Sequence, residues 1–206
     1  MTQEFRSALD AALRHSLHHL ETLDERPVGA TRSVESLRQR LLKSLSDDGI
    51  DAAQVVDELV ADVEGGLHGN AGGRFYGWVI GGSLPAAVAA DWITTAWDQN
   101  AGMFAVAPAA AIVEEAAGKW IKDLLGLPLS ASFALVTGGQ MTNTTGLAAA
   151  RHRVLQNAGW DVERRGLFGA PPIRVVTGAH RHATIVRALR LLGMGTEFLK
   201  IGRAHV

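Results

Sequence analysis

Hydrophobic side chains recur every three or four positions through residues 5–63, which is the spacing of amphipathic helices. One stripe starts at Phe5, a second runs over 34–45, and a third ends at Gly65. Residues 1–64 are therefore predicted to form three helices. Because three single apolar faces bury little surface by themselves, we expect this segment to pack on something larger.

A glycine-rich stretch with aromatic residues follows at 68–82, a composition typical of a loop that passes close to a ligand. Two further helices are predicted, one opening near Pro85 and one over 109–125. Beyond them strands and helices are predicted to alternate, at 132–136, 142–158, 173–177, 182–192 and 196–200. This βαβαβ order predicts an α/β fold with a parallel sheet whose ligands bind at the carboxyl ends of the strands.

Composition and charge narrow the functional classes. The 206 residues include 20 Lys and Arg against 21 Asp and Glu, which gives a net charge of −1. Such a chain has no strong positive electrostatic field to attract nucleic acid. The absence of cysteine excludes disulfides, thiolate metal ligands and a cysteine nucleophile, and no metal site is predicted. The longest apolar runs, 78–90 and 101–113, are shorter than the ~20 residues of a membrane span. With no targeting pattern, we expect a cytoplasmic protein without a membrane partner.

The first strand-to-helix turn predicts an anion site. Gly138 and Gly139 allow the backbone to approach a ligand, and the amides that open the next helix carry the positive end of its dipole. Phosphate is the expected anion, while a tight connection without a ligand is the alternative. The turn lacks the Gly-Lys-Ser/Thr of a P-loop and the glycine fingerprint of a dinucleotide site.

The second such turn carries His180 and His182. In a parallel sheet both turns open at the same edge, so an imidazole and an anion site would share one crevice. A ligand with a phosphate at one end and a flat ring at the other would use both turns. The alternative is that these histidines are solvated loop residues.

A series of short segments occurs in one order along residues 66–200, namely 75–78, 85–87, 107–110, 124–128, 136–139, 147–151 and 182–184. With these segments the chain resembles the group II decarboxylases that depend on pyridoxal phosphate (PLP), the relatives of aromatic-amino-acid and glutamate decarboxylases. The resemblance implies an incomplete large domain of the fold type I PLP-dependent, aspartate aminotransferase-like fold, preceded by a helical segment. The implied division is 1–64, 65–200 and a non-native tail at 201–206.

The resemblance also implies the function and the site. The function is that of a PLP-dependent amino-acid decarboxylase, a carboxy-lyase of amino-acid and hence carboxylic acid metabolism, working as a homodimer. Gly138, Gly139 and Gln140 would hold the cofactor phosphate, with Thr184 also at the cofactor, and His182 would stack on the pyridine ring and orient the substrate. The substrate mouth would be lined by Phe75, Tyr76, Pro108 and Ala109.

Two features depart from the family pattern. Gln140 stands where the family has a hydroxyl residue, so phosphate binding is expected to rest on backbone amides. The family's Schiff-base lysine and the acid that protonates the pyridine nitrogen correspond to later positions, and Lys200 comes too early for that role. The last six residues resemble a translated sequencing adapter, so we expect a truncated fragment that is inactive alone. The alternatives are another fold type I PLP enzyme, such as a lyase, or a non-catalytic remnant that binds or dimerises.

Overall fold

A computed structural model describes residues 2–202 of the chain. By their internal contacts the residues divide into two compact units, Met1–Asp98 and Gln99–Val206. The division into 1–64, 65–200 and 201–206 stays a prediction. Of the expected tail, Ile201 and Gly202 belong to a strand, and residues 203–206 lie outside the described part.

The first unit contains four helices, namely α1 (Thr2–Glu21), α2 (Val34–Leu41), α3 (Ala52–Val63) and α4 (Pro85–Trp97). The predicted helical periodicity is confirmed in all four. Side-chain caps start two of them, since Ser33 accepts a hydrogen bond from the Ser36 amide and Asp51 accepts from Ala53. Helix α4 opens with Pro85, the residue whose missing N–H costs nothing in a first helical turn.

Helix α2 ends at Leu41, four residues earlier than the hydrophobic stripe predicts. Leu42 is 76% exposed and Leu45 is fully exposed, so the last apolar positions of the stripe have nothing to pack against. A short helix draws most of its stability from packing, and this one stops where its packing stops.

The second unit contains α5 (Pro108–Leu124), α6 (Gly139–Asn157), α7 (Val162–Arg165), β1 (Val175–Gly178), α8 (Ala183–Leu191) and β2 (Leu199–Gly202). The two strands pair in parallel, with Val175 opposite Leu199 and Gly178 opposite Gly202. Helix α8 makes the crossover and packs on α6, where Leu155 and Leu189 are almost completely buried. This βαβ unit confirms the last three predicted elements.

The prediction of a strand at 132–136 is wrong: these residues form no strand in the structure. The described part of the chain has one sheet, of two strands, and neither pairs with this segment. Phe133, Leu135 and Val136 are 40%, 56% and 38% exposed. An extended segment needs a hydrogen-bonded neighbour to be a strand, and an apolar β-type sequence does not supply one.

Helix α7 was not predicted from the sequence, because four residues are too few to show a period. Asp161 caps it by accepting hydrogen bonds from the amides of Glu163 and Arg164. Among residues 2–202, no helix combines the length and the apolar character that a membrane crossing requires.

Candidate functional site

The amino-terminal end of α6 is open toward its surroundings. Gly138 precedes the helix with a φ of +140°, a backbone conformation that favours glycine, and no side chain caps the helix. A β-carbon placed on Gly138 or on Gly139 would meet no atom within 4 Å. The amides of a first helical turn have no partner within the helix and lie at its positive end. This arrangement suits an anion held by backbone N–H groups.

The Gln140 side chain is bonded to residues of α6 and α8. Its Nε2 donates to Thr144 Oγ1 and to the Thr184 carbonyl, each at 3.3 Å, which uses both hydrogens of the amide group. Its Oε1 is buried and has no hydrogen-bond partner among the described residues. The side chain therefore links α6 to α8, and an anion at the glycines would depend on the backbone.

His182 is the residue that begins α8. It lies in extended conformation just before the helix, and its Nδ1 accepts a hydrogen bond from the Thr184 amide at 3.3 Å. The same nitrogen lies 2.9 Å from Thr184 Oγ1. The imidazole is exposed, with Nδ1 engaged by the start of the helix. Its local geometry is thus fixed by an N-cap contact.

Thr184 joins the two turns. Its hydroxyl oxygen accepts a hydrogen bond from Asn143 Nδ2 at 2.8 Å, while its carbonyl accepts the bond from Gln140. Farther along the same helix pair, Arg151 donates to the Leu192 carbonyl at 3.0 Å. The starts of α6 and α8 are therefore held together by side chains of α6. Helix packing and these side-chain bonds, rather than a three-stranded sheet, bring the two helix starts together, and a crevice shared by the anion site and the imidazole stays a prediction.

The residues predicted to line the substrate mouth lie at two places in the sequence. Phe75 and Tyr76 belong to a loop of the first unit, in which Tyr76 is 94% exposed. The Arg74 guanidinium holds that loop by donating to the Arg26 carbonyl at 2.6 Å. Pro108 and Ala109 open α5 in the second unit and are exposed. Their roles stay predictions.

Asn143 was not assigned to the site from the sequence. A signal for it exists, because it follows Gln140 by three positions and so lies on the same face of α6. Among the residues that the structure describes, no group of three or more His, Asp or Glu side chains is placed to hold a metal ion.

The fold shows the class of protein to which this chain is similar. It has the fold of the amino-terminal part of fold type I PLP-dependent decarboxylases. The structure of Oryza sativa TDC with PLP and tryptamine matches 98% of this chain and 42% of its own, with a TM-score of 0.86 and 22% identity.

Particular relatives agree in sequence. The chain is 28% identical over 184 residues to the aromatic-L-amino-acid decarboxylase of Bacillus atrophaeus, covering 86% of this chain and 35% of that protein. It is 25% identical over 173 residues to the cysteine sulfinic acid decarboxylase of Mus musculus, covering 84% and 34%. The resemblance to group II PLP-dependent decarboxylases is thereby confirmed. The chain spans about a third of the length of these curated relatives. No family model matches it.

Proposed function

We propose that this chain forms the amino-terminal part of a PLP-dependent amino-acid decarboxylase, a carboxy-lyase. The observation that carries the proposal is the joining of an uncapped, glycine-lined helix start to an exposed imidazole. Similarity to decarboxylases over more than four-fifths of the chain supports the same activity. The proposal extends to a cytoplasmic homodimer that acts on an amino acid.

The residues at the start of α6 fit the phosphate of PLP. The open space over Gly138 and Gly139 leaves room for the group, and the backbone amides of Gly139 and Gln140 supply donors to its oxygens. Because both hydrogens of the Gln140 side chain are engaged elsewhere, that side chain adds no donor. The phosphate is therefore held by main chain, at the positive end of the helix.

His182 has two roles in the proposal. Its flat face stacks on the pyridine ring, and its free edge orients the carboxylate of the substrate. Bound PLP supplies an electron sink for the pair released when carbon dioxide leaves. Thr184 and Asn143 hold the imidazole, while Phe75, Tyr76, Pro108 and Ala109 line the entrance for the amino acid.

The lysine and the acid that the chemistry also requires would come from residues that follow position 200 in the resemblance. Lys200 lies in β2 and is not assigned to the reaction.

The proposal is tested in the complete protein that carries this chain. His182→Ala is expected to reduce carbon dioxide release by about 100-fold or more, since it removes a group that contacts both ring and substrate. Gly139→Val fills the space over the helix start and is expected to weaken PLP binding by about tenfold or more. Gly146→Ala, in the middle of α6 with nothing within 4 Å of its β-carbon, is the matched control. Unchanged rate and unchanged PLP affinity in both variants would refute the assignment.

A further inference from the structure

Three groups surround the Nδ1 side of His182. The Thr184 amide is 3.3 Å from Nδ1 and the Thr184 hydroxyl oxygen is 2.9 Å from it. Behind the hydroxyl, Asn143 Nδ2 lies 2.8 Å from Thr184 Oγ1. Together they determine where the imidazole carries its hydrogen.

The backbone contact favours an unprotonated Nδ1. An amide N–H can only donate, so the nitrogen facing it must present a lone pair. A hydrogen on Nδ1 would point at another hydrogen. The neutral ring therefore carries its single hydrogen on Nε2.

The hydroxyl contact strengthens this assignment. With Nδ1 unprotonated, the Thr184 hydroxyl at 2.9 Å donates its only hydrogen to that nitrogen and shares the single lone pair with the Thr184 amide at 3.3 Å. Its oxygen then presents lone pairs to Asn143, which satisfies them with Nδ2. The hydrogen bonds thus run in one direction, from Asn143 to Thr184 to His182.

We infer that Asn143 and Thr184 are positioning residues that hold His182 as the Nε2–H tautomer, with Nε2 as a hydrogen-bond donor on the free edge of the ring. This inference rests on the proposed function, in which Nε2–H donates a hydrogen bond to the substrate carboxylate. A carboxylate only accepts hydrogen bonds, so it needs a donor at this position. The opposite tautomer would present a lone pair to the carboxylate and repel it. Asn143 is half-buried in the second turn of α6, so the tautomer is controlled from a different helix.

The test is an NMR measurement on the chain with ¹⁵N-labelled histidine, without cofactor, at about pH 8 where imidazoles are ordinarily neutral. His182→Gln identifies the signals of His182 among the eight histidines. The expected spectrum has an unprotonated Nδ1 and a protonated Nε2. A protonated Nδ1, or two averaged nitrogens, would overturn the inference.

Variants separate positioning from mere stability. Thr184→Val keeps the shape of the side chain but removes the hydroxyl, and Asn143→Asp replaces the donor with an acceptor that competes for the hydroxyl hydrogen. Both are expected to move the Nδ1 and Nε2 shifts toward each other, while Thr184→Ser restores them. Thr145→Val, an exposed residue of the same helix, is the control and leaves them unchanged. Unmoved shifts in Thr184→Val and Asn143→Asp would overturn the positioning role of these two residues. Because the spectra are recorded without PLP, they test the tautomer of His182 separately from the proposed function, which is tested by rate and PLP affinity.

Discussion

At the scale of single residues, the two glycines at the start of α6 differ in backbone conformation. Gly138 has a φ of +140°, whereas Gly139 carries no left-handed backbone and forms the first residue of the helix. Both have open space around a β-carbon. Backbone conformation therefore favours glycine at 138, whereas at 139 neither the backbone nor a neighbouring atom requires it, and the proposed phosphate is the reason we offer for glycine there.

This difference gives a paired prediction on stability. Gly138→Ala forces an L-residue into a sparsely populated conformation and is expected to lower the free energy of unfolding by about 1–3 kcal/mol. Gly139→Ala is expected to leave it unchanged or to raise it by up to about 1 kcal/mol, because alanine favours the helix. Urea unfolding of both variants provides the measurement. Equal losses of stability would contradict the assignment of strain to Gly138.

Residue-scale features of the site were only partly predictable. Gly138, Gly139 and His182 stand in turns whose composition indicates an anion and a ring. The bonds of Thr184 to Gln140 and Asn143 join residues more than forty positions apart, and no local pattern reports a tertiary contact. The bonding partners of the Gln140 side chain could not be predicted either, since a glutamine at a helix start can bond to a ligand or to a neighbouring helix.

At the scale of elements, helix α5 organises the segment that follows it. The Lys122 ammonium is buried and donates to the carbonyls of Leu129 and Ala131 at 2.9 and 3.1 Å. It also lies 5.6 Å from the centre of the Phe133 ring, within cation–π range. A β-carbon on Gly118 would come within 2.1 Å of the same ring. Side chains of α5, rather than sheet bonds, thus hold residues 129–133.

The contact between Gly118 and Phe133 leads to a prediction. Gly118→Ala overpacks the ring and is expected to lower the free energy of unfolding by about 1–3 kcal/mol. Gly146→Ala, also inside a helix but facing open space, is expected to raise it by about 0.5–1 kcal/mol, since alanine has the higher helix propensity. Thermal and urea unfolding of the two variants supply the comparison. A stabilising Gly118→Ala would show that the ring does not pack there.

Helices α1 and α3 are linked by Asp57. Its carboxylate is 2.6 Å from His15 Nε2 and 2.7 Å from the Arg14 guanidinium. The hydrogen bond from His15, and then that from Arg14, hold the pKa of Asp57 below its ordinary value of 3.8. A lowered folded-state pKa stabilises the fold at pH values above the unfolded-state pKa, and that contribution is lost as the pH falls through the folded-state pKa.

We therefore expect Asp57→Asn to destabilise the chain at pH 7 and to have progressively less effect once the pH falls below about 4. Denaturant unfolding across this range measures the difference between variant and parent. Asp10→Asn, an exposed substitution on α1, is the control. A difference that persists undiminished at the lowest pH would show that the Asp57 link does not depend on its charge.

Element positions followed closely from periodicity where packing agrees with it. Helices α1, α3, α5, α6 and α8 and the two strands lie within a few residues of their predicted bounds. The error at 132–136 has a different origin, because strand formation depends on a neighbour and not only on the strand's own residues. The shortened α2 shows the same dependence for a helix.

At the scale of the whole molecule, the similarity to decarboxylases covers both units. The Oryza sativa TDC structure matches 98% of the chain, so the likeness in fold is not confined to the start of α6. The sequence resemblance alone predicted this class, because the segments that resemble the family occur in one order from the glycine-rich loop to α8. Periodicity and composition alone reach only an α/β fold with an anion site.

The most direct test compares the affinity of the complete protein, freed of cofactor, for PLP and for pyridoxal, which lacks the phosphate. We predict that PLP binds at least about tenfold more tightly, through charge-assisted hydrogen bonds to the start of α6. We further expect Gly139→Val to remove this preference and Gly146→Ala to retain it. Equal affinity for the two compounds, or a preference that survives Gly139→Val, would contradict the assignment of the phosphate site.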